Sequence, residues 1–404
     1  MTRPNVLCIS IDSVRADYTS LFEGNDYDTT PVLDSLSADS TVFSRAISPS
    51  IWTLPVHTSV FTGLYPPEHG LQSGGNALGN HPTFAELLAE DGYETSAFYL
   101  NSWFDTSGLL RGFGISRDDP GGSNKQQIAD VVGSVSPATK RLLERGYKIQ
   151  KRYREWGLSG PEDRADRGDR RTVDRATDAI ESADSPFCFF VHLNDAHYQY
   201  DPPNPHHRSF TDRSALGLLY NYEWWQTRVY DSLKSQLVTA VGDVQPPERE
   251  VETFKNLYRG SIEYCDSLVG TLVESLKRAG EWANTILVVF GDHGDGFGED
   301  GVFGHQLSLH DSLLRVPLLV RDPTGRLDAG TVTSPASLVD IYPTLLNTVG
   351  IDAPETKAVD LATERREYAY TYYDASDRDW YTDPPVGVDR DHLPPARHHA
   401  IWQS

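Results

Sequence analysis

Residues 5–13 read NVLCISIDS, an apolar, β-branched run that ends on a carboxylate and a hydroxyl. The run Val6–Ile11 has the length and composition of a buried strand, so Asp12 and Ser13 are expected at a strand's carboxyl end. Residues 285–300, TILVVFGDHGDGFGED, repeat the pattern: a strand over Thr285–Phe290, then Asp292 and His293. Phe187–Leu193 and Val316–Val320 read as two further strands. Helical patterns lie between them, in TPVLDSLSADS (30–40), TFAELLAEDG (83–92) and EREVETFKNLYRGSIEYCDSLVGTLVESLKRAG (248–280). That alternation predicts a doubly wound α/β fold with helices on both faces of one sheet. In such a sheet, ligands gather outside the carboxyl ends of the strands.

A hydroxyl-bearing segment belongs with those strand ends. Residues 50–70 read SIWTLPVHTSVFTGLYPPEHG. Pro55 suits a first helical turn and Gly63 a helix stop, so Thr53 falls where an N-cap is expected. The free N–H groups at such a helix start can also hold phosphate or sulfate. Taken alone, Thr53 reads first as a cap; the carboxylates and imidazole at the strand ends are what bring a nucleophile into view. Asp12, Asp292 and His293, with the hydroxyls of Ser13 and Thr53, supply hard oxygens and one nitrogen, a donor set for one divalent ion. The nitrogen favours Mn²⁺ or Zn²⁺ over Ca²⁺ or Mg²⁺.

Composition narrows the field. The 404-residue chain has 36 basic against 58 acidic residues, a net charge of −22, which argues against nucleic acid or an anionic membrane as partner. Only eight of the basic residues are lysines, a balance that predicts a salt-adapted, halophilic protein in a high-salt cytoplasm. Cys8, Cys188 and Cys265 lie scattered in apolar settings and are expected to be buried thiols. The first apolar run is too short for a signal peptide or an integral membrane segment, so a cytoplasmic protein is expected. Residues 136–175 carry dense mixed charge and read as a solvated helical insertion, with a lid or docking site for a polyanion as the sharper reading.

Seven segments, in order, carry a resemblance: PNVLCISIDSVRAD, TTPVLDSLSADSTVFSRAISPS, TLPVHTSVFTGLYPPEHG, TFAELLAEDGYETSAF, NTILVVFGDHGDGFGE, LLRVPLLV and SLVDIYPTLLNTVGID. Together they resemble the sulfatase family of the alkaline phosphatase superfamily, from residue 4 to about 350. The resemblance implies an α/β sandwich with a large mixed, mostly parallel central sheet, one divalent metal, and a nucleophile at Thr53. It implies a catalytic domain over 1–350, with 351–404 the start of a short or truncated C-terminal subdomain.

The chain departs from that pattern at chemically decisive places. Sulfatases mature a Cys or Ser, followed by x-Pro-x-Arg, into formylglycine. Here the position holds Thr53 and the arginine is replaced by His57, so no formylglycine can form. Related phosphodiesterases, phosphomutases and phosphoglycerol or phosphoethanolamine transferases use a metal-bound threonine instead. Asp292-His293 stands where sulfatases place Asp-Asn, and the expected Lys-x-His segment is absent, leaving Asn101 as a weak substitute beside His57 for binding substrate. His197 matches a family position that binds the anion or protonates the leaving oxygen. His305 lies near the place of a substrate-binding lysine and is a second catalytic candidate, while His310 reads as structural. Asp195 could serve a second metal, but the spacing used by two-metal relatives is missing.

The implied activity is hydrolysis of a small anionic ester, a sulfated or phosphorylated sugar or lipid, with phosphoesters favoured. A transferase passing a phosphoryl-linked group from Thr53 to an alcohol is the rival within enzymes. A catalytically inactive anionic-glycan-binding relative is the rival outside them, against which the retention of Asp12, Thr53, Asp292 and His293 weighs.

Overall fold

Eight strands pair into one sheet in the computed structural model, which describes residues 3–117, 168–376 and 397–403 apart from 23, 73–75, 106–107, 185, 231–234, 237–238, 240–244 and 307. In chain order they are β1 (Asn5–Ile11), β2 (Thr41–Phe43), β3 (Glu94–Tyr99), β4 (Gly114–Arg117), β5 (Phe187–Leu193), β6 (Thr285–Gly291), β7 (Leu318–Arg321) and β8 (Gly330–Val332). Across the sheet the order is β8-β2-β7-β6-β1-β5-β3-β4. β1 runs parallel to both of its neighbours, β5 and β6. β3 continues the parallel run between β5 and β4. β7 is antiparallel to β6 and β2, and β8 is parallel to β2. The sheet is thus mixed and mostly parallel, as the resemblance implies.

Because side chains alternate along a strand, β1 sends Leu7, Ile9 and Ile11 into one core and Val6 and Cys8 into another. Both sides are covered, which is why the strands read as continuous apolar runs. Four helices do most of the covering: α1 (Thr53–Thr62), α2 (Asp169–Ser182), α3 (Glu248–Ala279) and α4 (Ile341–Val349). α2 and α3 bury Val173, Ile180, Leu257, Leu268 and Leu272 on the first side. α1 and α4 bury Leu54, Val60, Phe61, Leu345 and Leu346 on the second. α3 stops at Gly280, whose φ of 77° is left-handed.

One expectation is corrected. The strand expected over Val316–Val320 is broken at Pro317, which has no N–H to give a ladder. Arg315–Val316 pairs instead with Ala46–Ile47 in a small separate sheet, and Leu318–Arg321 joins the main one. Of the charged stretch 136–175, residues 136–167 lie outside the described ones; its last part begins α2, where Arg170 and Asp174 form an exposed ion pair while Val173 faces the core. Cys8, Cys188 and Cys265 are free and buried.

Beyond α4 the chain keeps packing on the second core through Leu361, and Arg366 makes an ion pair with the buried Asp340. Tyr368–Asp374 and Arg397–Gln403 form an antiparallel pair. Among the described residues, no helix is long and apolar enough to cross a membrane.

Candidate active site

Four parallel strands, β1, β3, β5 and β6, end at the same edge of the sheet, and the residues just past those ends build the site. Asp12 follows β1, Asn101 follows β3, His197 follows β5, and Asp292 and His293 follow β6. Ser13 turns the chain away from β1 with φ 60°, a left-handed conformation uncommon for a residue with a Cβ. That turn aims the Ser13 N–H at Asp292 Oδ1 (2.9 Å) and its hydroxyl at Asp12 Oδ1 (2.9 Å), while Tyr258 donates to the Ser13 carbonyl (2.7 Å). Ser13, expected as a metal ligand, is placed as a brace for the two carboxylates.

Ligand atoms of Asp12, Asp292 and His293 all lie within 4.8 Å of one another, and all three residues are fully buried. His293 Nε2 is 3.5 Å from Asp12 Oδ1 and 3.6 Å from Asp292 Oδ2. Asp292 Oδ2 and His293 Nε2 have no hydrogen-bond partner despite their burial. Buried polar atoms are rarely left so, and atoms of two carboxylates and an imidazole converging in this way fit a divalent cation. Among the described residues this is the one such cluster.

The electrostatics agree. Burial alone would raise the Asp12 carboxyl, but the imidazoles of His197, His192 and His293 outweigh it and hold it well below its ordinary value. Burial and then the Asp12 charge push Asp292 well above its own. Burial, with His305 alongside, lowers the His293 imidazole to about 3, so its nitrogen is a neutral donor atom. Two carboxylates driven apart in this way are like charges held together, a conflict that a cation between them relieves.

Thr53 is the first residue of α1, and it is 5% exposed. The N-cap is Trp52, extended at φ −158°, so the expected cap position is displaced by one residue. Pro55 fits because the first-turn N–H groups have no partner inside the helix. Gly63 ends the helix at φ 70°, as expected, and a Cβ there would meet the Tyr342 ring at 2.7 Å. Before the helix, Ser48 Oγ donates to the Asp292 carbonyl (2.6 Å), which ties the segment leading to Thr53 to the end of β6.

His57 and Asn101, both expected to bind substrate, are engaged within the protein. His57 is fully buried: Nδ1 donates to the Thr53 carbonyl (2.9 Å), Nε2 lies 2.8 Å from Ser10 Oγ, and Phe61, Phe104, Phe190 and Phe290 surround the ring. Burial keeps its pKa well below the ordinary value. Asn101 Nδ2 donates to Asp12 Oδ2 (3.3 Å), and Asn101 Oδ1 accepts from the Trp103 N–H (3.1 Å).

His197 and His305 do converge on the site. The His305 ring lies 4.6 Å from that of His293 and 5.2 Å from that of His197. His305 Nδ1 donates to Asp295 Oδ1 (3.1 Å), and Tyr200 also donates to Asp295. Burial opposes a charged His305, but the Asp295 carboxylate raises it above its ordinary value. His197 Nδ1 donates to the Tyr198 carbonyl (2.6 Å), and burial lowers its pKa. His310 accepts from the Ser312 N–H at the start of a short helix, the structural role expected. Three residues at the site escaped the sequence reading. Asp295 lies only two positions past His293, a visible signal, but Ser10 and His192 sit inside apolar runs and meet only through strand register.

The sulfatase family model matches residues 4–351. The chain belongs to the sulfatase family. Bovine (Bos taurus) arylsulfatase K is 24% identical over 375 residues, covering 87% of this chain and 64% of the relative. The uncharacterized sulfatase YidJ of Escherichia coli K12 is 24% identical over 373 residues, covering 88% of this chain and 69% of the relative. The phosphonate monoester hydrolase of Silicibacter pomeroyi shares the fold at a TM-score of 0.72 and 20% identity, over 99% of this chain and 85% of that one. A structure solved with its substrate D-glucosamine-2-N,6-O-disulfate matches at 0.66 and 18%, over 99% and 87%. This sulfatase-family chain therefore spans just under two-thirds of the bovine enzyme's length.

Proposed function

We propose that this chain is a metal-dependent hydrolase of phosphate or sulfate esters, phosphoesters favoured, with Thr53 as the nucleophile. The observation that carries the reading is the pair of buried, unpartnered atoms Asp292 Oδ2 and His293 Nε2 facing Asp12, beside a helix that starts on a threonine. Asp12, Asp292 and His293 would hold the cation, Mn²⁺ or Zn²⁺ from the donor set, and when bound it lowers the pKa of a hydroxyl beside it and screens an anionic ester. Names of similar proteins span both chemistries, a phosphonate monoester hydrolase and a protein whose substrate is a sulfated glucosamine. Thr53 tips the balance toward phosphorus, because a threonine cannot become the aldehyde whose hydrate releases sulfate by elimination.

The first step is in-line attack. Thr53 Oγ1 releases its proton to solvent as it bonds to phosphorus or sulfur, the ester bond to the leaving oxygen breaks, and that oxygen takes up a proton from a neighbouring histidine. His197 and His305 flank the site, and His305 is the better donor because Asp295 supports its charged ring. Free N–H groups in the first turn of α1 face the charged oxygens. Water then attacks the Thr53 adduct, the bond to Thr53 breaks, the hydroxyl regains its proton, and inorganic phosphate or sulfate leaves.

The test is a panel of aryl sulfates, phosphate monoesters, phosphate diesters and phosphonates, each with Mn²⁺, Zn²⁺, Mg²⁺ and Ca²⁺. Turnover is expected to be best on a phosphoester, with a phosphate-sized adduct on Thr53 by intact mass after acid quench. Thr53→Ala should lower turnover by about three orders of magnitude or more. Near-normal turnover in that variant would overturn the mechanism.

A further inference from the structure

Ser10 and His192 lie directly across from each other on β1 and β5, both fully buried. Their neighbours on the same face, Val6, Cys8, Cys188 and Phe190, are all part of the apolar core. Polar groups placed there cost stability unless every one finds a partner, and such a break in an otherwise consistent pattern marks a functional place. Both residues are partnered, and the partners lead somewhere. Ser10 Oγ lies 2.8 Å from His57 Nε2 and 3.2 Å from His192 Nδ1. At one end His57 Nδ1 donates to the Thr53 carbonyl (2.9 Å), and at the other His192 Nε2 donates to Asp12 Oδ2 (3.3 Å). Contacts of hydrogen-bonding length thus connect the first residue of α1 to the carboxylate that follows β1, with the single Ser10 hydroxyl proton shared between His57 and His192.

The effect on Asp12 is directional. Oδ2 is taken up by His192 and Asn101, while Oδ1, braced by Ser13, is the oxygen 3.5 Å from His293 Nε2. We propose that His192 and Ser10 are positioning residues: His192 turns Asp12 Oδ1 toward the cation site, and Ser10 ties that orientation to the helix turn bearing Thr53. The inference rests on the reading of Asp12, Asp292 and His293 as metal ligands and of Thr53 as nucleophile. Partners that orient a metal's ligands are worth about 10- to 100-fold in metal affinity.

A substitution can separate this role from a purely structural one. The His192 ring is 4.9 Å from that of Phe104, 6.5 Å from that of Phe190 and nearly parallel to it, so the slot suits an aromatic ring. In His192→Phe, Asn101 still satisfies Asp12 Oδ2 and His57 still satisfies Ser10. The fold therefore loses little while the link to Asp12 is gone. The experiment is calorimetric titration of Mn²⁺ into chelator-stripped full chain, with a thermal melt on each protein. His192→Phe should melt within a few degrees of wild type and bind Mn²⁺ about 10- to 100-fold more weakly. His192→Gln, whose amide can still donate toward Asp12, should recover much of the affinity. Ser10→Ala should lower kcat at saturating Mn²⁺ with KM unchanged. Wild-type Mn²⁺ affinity in His192→Phe would overturn the proposal, as would affinity lost only together with the melt. The titration needs no turnover, so an inactive wild type would sink the mechanism above while this result still stands or falls by itself.

Discussion

At Thr53 the choice between cap and nucleophile becomes a choice between two stability outcomes. The capping position belongs to Trp52, so an alanine at position 53 has no cap bond to lose. Alanine is also the better helix former. Thr53→Ala should therefore cost less stability than the roughly 1 kcal/mol of a lost cap. Its loss should show in turnover, and Thr53→Ser, which keeps a hydroxyl, should retain part of the phosphoesterase rate. The ligand set makes a separate prediction. Purified protein should carry close to one divalent ion per chain by elemental analysis, and Asp292→Ala or His293→Ala should lose it, because each removes one of the three converging donors. Metal content unchanged in both variants would disprove the site.

At the level of elements, legibility in the sequence followed the physics of each segment. β1, β5, β6 and α3 were readable because a buried parallel strand is a continuous apolar run, and an amphipathic helix closed by glycine announces its stop. Asp12, Asp292 and His293 were readable because strand ends are where such a sheet presents ligands. The link between Ser10 and His192 was not readable, since 182 positions separate residues that only strand register makes neighbours. The orientation of His57 was hidden for a related reason: a helix start does not tell which of its residues turns under the sheet edge. The break at Pro317 was visible in the sequence and outweighed by the apolar run around it.

α1 is locked to the turn that follows it by His69, which supplies a pH test. The Leu71 N–H donates to His69 Nδ1 (3.0 Å), and Nε2 lies 3.1 Å from Ser59 Oγ inside α1. A ring accepting at Nδ1 is neutral, and burial lowers its pKa from 6.5 to about 3. The unfolded chain takes up this proton below pH 6.5 and the folded chain does not until about pH 3. Stability is therefore lost as pH falls through that window, by up to about 1.4 kcal/mol per pH unit from this residue. His69→Gln cannot titrate, so the drop in melting temperature between pH 7.5 and 5.5 should be smaller than in wild type. Equal drops would show that His69 is not held neutral.

Over the whole molecule, 58 acidic against 36 basic residues leave a net charge of −22. The field has two consequences for a chain whose proposed substrate is an anion. It repels the substrate everywhere except at a local positive charge, which the cation supplies, and it sets surface carboxylates against one another in the folded state. Added salt screens both effects, with the Debye length falling from about 10 Å at 0.1 M to about 3 Å at 1 M. We therefore expect the melting temperature to rise with KCl and most of the gain to be reached by about 1 M, where screening is already shorter than the spacing between charges. KM for an anionic ester should fall over the same range. Sucrose, which strengthens burial without screening charge, should leave KM unchanged even if it raises the melting temperature. A melting temperature that stays flat or falls in KCl would overturn the salt-adapted reading.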